Sequence, residues 1–146
     1  MSISKIDLIL DDLKGNHVLL AHSGGVDSCV LAEIFVNKNI NFSVAHCNFK
    51  LRDKESDEDL KFVKYWCIKN NTPFYFKVFD VKGYIIVNKK SIQEAARDLR
   101  YEWFNSLMVD LEIDILTTAH HLNDQLETFL INSIRGTGIS GLLGIK

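Results

Sequence analysis

The chain has 146 residues, of which 47% are hydrophobic and 25% are charged, and it carries a formal net charge of −2 at pH 7. This length and composition predict one compact soluble domain, and the charge excludes a basic surface spread over the whole chain, as nucleic-acid-binding proteins often have. Acidic residues interrupt the apolar positions of residues 1–13, which therefore do not predict a signal peptide, and no later segment is long enough to span a membrane. We expect a cytoplasmic protein.

Short apolar runs alternate along the chain with longer segments of helical periodicity. The first part predicts a helix, a strand, a second helix and a second strand, at about residues 3–13, 18–21, 28–36 and 40–45. A helix with an acidic start, an aromatic-rich strand, a helix capped by Ser91, a strand and a last helix follow, at about residues 52–70, 74–79, 92–109, 113–118 and 123–134. This alternation predicts an α/β fold, with a Rossmann-like, mainly parallel sheet flanked by helices.

A glycine-rich loop at residues 22–28, His-Ser-Gly-Gly-Val-Asp-Ser, separates the first predicted strand from the next helix. Gly24 and Gly25 let the backbone approach an anion closely, and the hydroxyls of Ser23 and Ser28 can donate to phosphate oxygens. The helix that follows presents its positive N-terminal end. The loop therefore predicts a phosphate site, although its spacing fits neither the Walker loop nor the dinucleotide fingerprint. The alternative is a tight turn with a serine cap.

Three cysteines, Cys29, Cys47 and Cys67, are widely spaced. Their odd number and the lack of paired spacing argue against a disulfide framework and against a cysteine-based zinc or redox motif. We expect small, buried apolar residues at these positions.

Two arginines and a strand end carry further polar chemistry. Arg97 and Arg100 are spaced to share one face of a predicted helix, where they could bind phosphate, and ion pairing with nearby acids is the alternative. His120 and His121 follow the end of a predicted strand, and Asp124 and Glu127 lie on the first turns of the next predicted helix, so these side chains could bind a metal or move protons. A zinc site is disfavoured because adjacent residues on a strand point in different directions.

Several of these segments resemble one known family. Residues 23–28 resemble the pyrophosphate-binding loop S-G-G-x-D-S of ATP pyrophosphatases. Three more segments are similar to the tRNA(Ile)-lysidine synthetases of that superfamily: His46–Arg52 resembles H-x-N-H-x-L-R with Phe49 replacing the second histidine, Glu94–Tyr101 resembles A-R-x-x-R-Y, and Thr117–Leu142 is the longest match. The resemblance implies an adenine nucleotide alpha hydrolase-like fold and an ATP-binding catalytic domain over residues 1–146, as the N-terminal fragment of a protein with later tRNA-binding domains.

The resemblance also implies an activity and its partners. The wobble cytidine of a tRNA(Ile) with a CAU anticodon attacks the α-phosphate of ATP through its C2 carbonyl oxygen, and pyrophosphate leaves. Free L-lysine then attacks C2 through its ε-amine and displaces AMP, which leaves lysidine in the tRNA. Whether the domain forms a homodimer stays open.

Individual roles follow from the same resemblance. It implies that ATP is held by Ser23, Gly24, Gly25, Val26, Asp27, Ser28 and His46, and that Mg²⁺ is held by Asp27 and Asp124. It further implies that Asp124 deprotonates or positions the lysine amine, with His121 as the second candidate, and that Arg97 contacts the α-phosphate. Two alternatives stay open: a tRNA thiolase of the same superfamily, which the absence of a C-x-x-C motif disfavours, and a non-catalytic nucleotide-binding domain.

Overall fold

The computed structural model describes residues 5–51, 54–121 and 129–135. Its elements in chain order are α1 (Lys5–Leu13), β1 (His17–Ala21), α2 (Val26–Asn37), β2 (Asn41–Asn48), α3 (Lys54–Lys69), β3 (Phe74–Val78), α4 (Val81–Asn88), α5 (Ile92–Leu111), β4 (Ile115–His121) and β5 (Phe129–Arg135). The predicted alternation of strands and helices up to residue 121 is confirmed, and α4 is an additional helix that was not predicted. α2 begins earlier than predicted, at Val26, because the helix includes the last residues of the glycine-rich loop segment. β2 ends later than predicted, at Asn48, because the strand continues into the segment His46–Arg52.

The strands form one sheet in the order β3-β2-β1-β4-β5. β1 pairs in parallel with β2 on one side and with β4 on the other, and β2 pairs in parallel with β3. The predicted parallel sheet flanked by helices is therefore confirmed. The chain moves outward from β1 in one direction through β2 and β3 and then returns to the other side of β1. Ligands of such sheets bind beyond the carboxyl ends of the strands, at the point where the order reverses.

β5 is an antiparallel addition at the β4 edge. It pairs with β4 from Ile115 opposite Arg135 to His121 opposite Phe129. The predicted helix from Asn123 to Ile134 is therefore wrong over residues 129–134. Aromatic and β-branched residues are frequent in this segment and suit a strand, and the edge of β4 offers backbone hydrogen bonds that helical periodicity does not take into account. Residues 122–128, with Asp124, lie outside the described residues.

The helices cover both faces of the sheet. Val18 and Leu20 of β1 point into a core shared with α1, α2 and α3, whereas Leu19 points to the opposite face and packs with Phe104 and Met108 of α5. This split follows from the alternation of side chains along a strand, and both faces are apolar because a central parallel strand is buried on both sides. In the described part of the chain, no helix combines the length and apolar character that crossing a membrane requires.

Two helix caps fix the approach to α5. The predicted cap is confirmed, because the Ser91 hydroxyl accepts from the Glu94 backbone N–H at 3.1 Å and the Glu94 carboxylate accepts from the Ser91 N–H at 3.1 Å. α4 was not predicted, since Gly83 is a poor helix former and the segment has no clear apolar stripe. Its start is capped by Asp80, whose carboxylate accepts from the Gly83 N–H at 3.0 Å.

Candidate functional site

A cleft of about 440 Å³ opens at the carboxyl ends of β1, β2 and β4. The beginning of α3 and the middle of α5 supply its other walls. The lining residues are Ala21–Ser23, Ser28, Ala45–Phe49, Leu51, Ser56, Asp59, Arg100, Tyr101, Phe104, Thr118 and Ala119. The cleft therefore lies where the strand order reverses, which is the position expected for a ligand site in this fold.

The glycine-rich loop is closed by hydrogen bonds among its own residues. The Ser23 N–H donates to the Ser28 hydroxyl at 3.1 Å, and the two serine hydroxyl oxygens lie 3.1 Å apart. The Gly25 N–H donates to the Ser23 hydroxyl at 3.1 Å, and the Gly24 N–H donates to Nδ1 of His22 at 3.0 Å. The loop thus places the Ser23 and Ser28 hydroxyl groups at one wall of the cleft, whereas the N–H groups of Ser23, Gly24 and Gly25 donate within the loop.

Gly24 is required for two physical reasons. Its φ of +90° lies in the region that favours glycine, and a Cβ at this position would stand 3.0 Å from the Cβ of Asp59. The loop and α3 therefore touch at Gly24, so any side chain there would push the loop away from the Asp59 wall.

Two buried histidines link the loop to β2. Nδ1 of His46 donates to the His22 carbonyl oxygen at 2.8 Å, because a carbonyl can only accept. Nδ1 of His22 accepts from the Gly24 N–H, so neutral His22 carries its proton on Nε2. Burial, helped by repulsion from His46, lowers the pKa of His22 to about 4. Burial also lowers the pKa of His46, against the opposing effects of its bond to His22 and of Asp59. Both rings are therefore neutral near pH 7 and organise the loop without adding positive charge.

Asp59 and Arg100 are the acidic and the basic side chain that accompany the two histidines among the described residues lining the cleft. Asp59 lies on the wall against Gly24. Arg100 lies on α5 with its guanidinium carbon 5.3 Å from the centre of the Phe49 ring. The cleft therefore combines one cation with the Ser23 and Ser28 hydroxyl groups, which is an arrangement suited to a phosphate-bearing ligand.

Comparison with known proteins assigns the family. The PP-loop domain family matches residues 1–146. The chain belongs to the PP-loop domain family. The chain is 41% identical over 144 residues to a tRNA(Ile)-lysidine synthase of Bacteroides thetaiotaomicron, covering 99% of this chain and 33% of the relative. It is 45% identical over 128 residues to that of Porphyromonas gingivalis W83, covering 88% and 28%. For that of Chlorobaculum tepidum, the identity is 43% over 136 residues, covering 90% and 41%.

Solved structures show the same fold. An NH3-dependent NAD synthetase from Campylobacter jejuni, in complex with the nitrate ion, superposes with a TM-score of 0.59 over 75% of this chain and 51% of that chain, at 18% sequence identity. At this identity the likeness concerns the fold alone. The chain spans about a third of the length of the curated relatives named above.

The PP-loop domain brings some of the predicted site residues to the cleft. Ser23, Ser28 and His46 line it. Gly24, Gly25, Val26 and Asp27 belong to the same loop and to the first turn of α2, but they do not line the cleft. Val26 is 76% exposed and Asp27 is half-buried, so their roles toward a ligand stay predictions.

The predicted catalytic residues are placed only in part. β4 ends at His121, whose side chain lies outside the described part of the structure, as does Asp124. Arg97 is half-buried on α5 and does not line the cleft, whereas Arg100 does. The two arginines share a helix face as their spacing predicts, but Arg100 lies one turn further along α5 and reaches the cleft. The roles of Arg97, His121 and Asp124 stay predictions.

Sequence reasoning missed two residues of this PP-loop domain. Ser56 and Asp59 line the cleft, although neither was among the predicted site residues. The missed signal is the spacing of Asp59, Val63 and Cys67, each four residues apart, which puts Asp59 on the same helix face as two fully buried residues. An acidic residue at the end of an apolar helix face points toward the interior or toward a cleft.

The three thiols have raised pKa values. Burial raises the pKa of Cys47 to about 12, against the opposing effect of Arg100, and burial alone raises that of Cys67 to about 12. The pKa of Cys29 is raised by burial and by Glu33 and Asp59. Cys67 is fully buried as expected, and Cys29 and Cys47 are partly buried. None of the three is activated as a thiolate, the form that sulfur chemistry requires.

The described residues contain no group of three histidine, cysteine or acidic side chains that could hold a metal ion by themselves. Mg²⁺ is commonly held by one or two carboxylates together with substrate phosphates and water. Asp27, in the first turn of α2 beside the glycine-rich loop, fits the place of one such carboxylate. A protein-only metal site of the zinc type does not fit these residues.

Proposed function

We propose that this PP-loop domain is the ATP-dependent catalytic domain of a tRNA(Ile)-lysidine synthase. The observation that carries the proposal is the 41–45% identity to proteins of that name over nearly the whole chain. The geometry supports it, because three segments that carry the resemblance contribute to one cleft. They supply Ser23 and Ser28 from the loop, His46–Phe49 and Leu51 after β2, and Arg100 from α5.

The glycine-rich loop binds the phosphates of ATP in this proposal. The bonded hydroxyls of Ser23 and Ser28 can rotate toward a phosphate oxygen, and the first N–H groups of α2 have no acceptors within the helix. His46 and His22 fix the loop to β2, so these donors are in place before the nucleotide arrives. Such preorganised donors stabilise the charge that develops on pyrophosphate as it leaves.

Asp27 and Asp124 would hold Mg²⁺ in this proposal, with the nucleotide phosphates as further ligands. When bound, the ion offsets phosphate charge during displacement at the α-phosphorus. The contribution of the chain is the placement of the Asp27 carboxylate beside the loop, in the first turn of α2.

The reaction then proceeds in two displacements. The C2 carbonyl oxygen of the wobble cytidine forms a bond to the α-phosphorus of ATP, the bond to the bridging oxygen breaks, and pyrophosphate leaves. The ε-amine of lysine, after losing a proton, forms a bond to C2, and AMP leaves with the former C2 oxygen. Asp124 accepts the proton or positions the amine, with His121 as the second candidate, and Arg97 and Arg100 meet the α-phosphate charge.

The thiolase alternative lacks support from the cysteines. Their raised pKa values keep them protonated near pH 7, and Cys47, the one that lines the cleft, is held beside Arg100 without becoming a thiolate. A nucleotide-binding domain without catalysis would bind ATP but would not release AMP.

The test uses the full-length protein with Mg·ATP, labelled lysine and a tRNA(Ile) transcript that carries a wobble cytidine, with a wobble-uridine transcript as control. The proposal predicts cytidine-dependent labelling of the tRNA with release of AMP and pyrophosphate. ATP cleavage with tRNA but without lysine incorporation would contradict it and favour the thiolase. ATP binding without cleavage would favour the non-catalytic domain.

A further inference from the structure

Phe49 lies on the cleft wall at the end of β2. It stands where the tRNA(Ile)-lysidine synthetase pattern has a second histidine, so this chain has an uncharged ring at a position that a titratable side chain can occupy. Phe49 and Arg100 both line the cleft, and the Arg100 guanidinium carbon lies 5.3 Å from the centre of the Phe49 ring. This distance is within the range of a cation–π contact.

Aromatic packing holds the Phe49 ring in place. Phe79 stacks on it with ring centres 5.3 Å apart and an interplanar angle of 26°, and Trp103 of α5 meets Phe79 edge-on at 6.2 Å. The backbone after Phe49 is also fixed, because Lys50 has a φ of +58° and its N–H donates to the Asn48 side-chain oxygen at 2.9 Å. The ring is therefore a rigid surface that two elements position.

Within the described part of the chain, the polar partner of Arg100 besides the Phe49 ring is the Cys47 thiol, which is a weak hydrogen-bond partner for a charged group. This bond alone would not fix a long, flexible side chain. A guanidinium is planar and weakly hydrated, so an aromatic face can hold it while its N–H groups stay available at the edge. A histidine at this position could become charged and repel the guanidinium.

We propose that Phe49 is a positioning residue that holds the Arg100 guanidinium in the cleft, where it meets the negative charge of the nucleotide phosphates. This inference rests on the proposed function, since it requires that ATP occupies the cleft. It explains why an aromatic ring is compatible with activity at this position: the ring acts through Arg100 and touches no reacting atom.

The test is a double-mutant cycle on the full-length protein, with the Kd for ATP as the readout and the unfolding midpoint as a control for folding. The variants are Phe49→Leu, Arg100→Met and the double variant that carries both substitutions. We expect Phe49→Leu to weaken ATP binding by about 3- to 10-fold when Arg100 is present and by less than about 2-fold when Arg100→Met is already in place. Phe49→Tyr, which keeps the ring, is expected to retain most of the affinity.

Phe62→Leu is the matched control, because Phe62 lies 48% exposed on α3 and does not line the cleft. If Phe49→Leu fails to fold, Phe49→Met, which conserves more volume, replaces it in the cycle. Equal losses of affinity with and without Arg100 would overturn the inference while leaving the proposed function intact. A wild-type protein that binds no ATP would overturn the proposed function and the inference together.

Discussion

Two parts of the cleft are held by different forces: the glycine-rich loop, and an aromatic wall formed by Phe49, Arg100 and the Phe79 ring stacked on Phe49. Within the loop, hydrogen bonds of 3.0 to 3.1 Å join residues at most five positions apart in the chain. In the aromatic wall, Phe49 follows β2, Phe79 follows β3 and Arg100 lies on α5, and packing and a cation–π contact join the three. Local bonds and the His46–His22 contact hold the loop hydroxyls in place, whereas the position of the Arg100 cation depends on the packing of α5 against the end of β2.

This comparison predicts that changes to the loop affect folding and nucleotide binding together and strongly, while changes to the aromatic wall affect nucleotide binding more selectively. The variants below test that difference, from the largest expected effect to the smallest.

Gly24→Ala is expected to have the largest effect. The substitution puts a side chain at a φ of +90° and a Cβ 3.0 Å from that of Asp59, so we expect a loss of about 3 kcal/mol in the free energy of unfolding and a loss of ATP affinity of at least about tenfold. Gly15→Ala is the matched control, because Gly15 has a φ of +84° with nothing within 4 Å of an added Cβ. Equal effects of the two substitutions would contradict a contact between the loop and α3.

Acid should weaken the loop through His22. Its pKa is about 4 in the folded chain and about 6.5 when unfolded, so its contribution to stability is fully present above about pH 6.5 and is lost as the pH falls toward 4. Between about pH 6.5 and 4, we expect His22 to lower the free energy of unfolding, measured with urea, by about 2 to 3 kcal/mol.

His22→Asn serves as the comparison, because its side-chain oxygen can still accept from the Gly24 N–H but does not titrate in this range. Its unfolding free energy should fall less between pH 7 and pH 4.5 than that of the unaltered chain. The same pH dependence in both would show that the loop does not hold His22 neutral.

Arg100→Met tests the opposite wall. We expect ATP binding to weaken by about tenfold, because the substitution removes the arginine that lines the described part of the cleft. The unfolding midpoint should change little, because the Arg100 side chain is partly exposed. Arg97→Met is the comparison, and nucleotide titration should show the smaller loss for it. A larger loss for Arg97→Met would put the phosphate contact one helical turn away from the cleft described above.

Ser91→Ala should have the smallest effect. The Ser91 hydroxyl caps α5 at a distance from the cleft, so we expect a loss of about 1 kcal/mol in the free energy of unfolding and an unchanged Kd for ATP. Thermal unfolding and nucleotide titration measure the two quantities. A reduced ATP affinity would contradict this expectation and would mean that loss of the cap at the start of α5 also displaces Arg100 in the cleft.

The two walls also differed in how far the sequence predicted them. The loop was predicted because its glycines, serines and position between a strand and a helix act locally. Asp59 was not predicted as a cleft residue because its place depends on the packing of α3 through Val63 and Cys67. Arg97 was predicted to contact the α-phosphate, whereas Arg100 lines the cleft. Helical spacing gives the common face of the two arginines, and tertiary packing decides which one reaches the cleft.

The sheet shows the same division. β1 to β4 were predicted from apolar runs bounded by glycine and polar residues, and their parallel order follows from the helices between them. β5 was interpreted as a helix because its apolar residues fit a helical period, and its pairing with β4 is a long-range interaction that periodicity does not contain. The order of β1 to β4 was therefore more predictable than the addition of β5 at the β4 edge of the sheet.

The proposed mechanism requires that the C2 oxygen of the cytidine forms a bond to the α-phosphorus of ATP, and an isotope transfer tests this step most directly. A tRNA(Ile) transcript carrying ¹⁸O at C2 of its wobble cytidine is converted by the full-length protein with Mg·ATP and lysine, and the released AMP is analysed by mass spectrometry. The account predicts that the ¹⁸O appears in the AMP phosphate, because the C2 oxygen leaves with AMP. Lysidine formation with unlabelled AMP would contradict it.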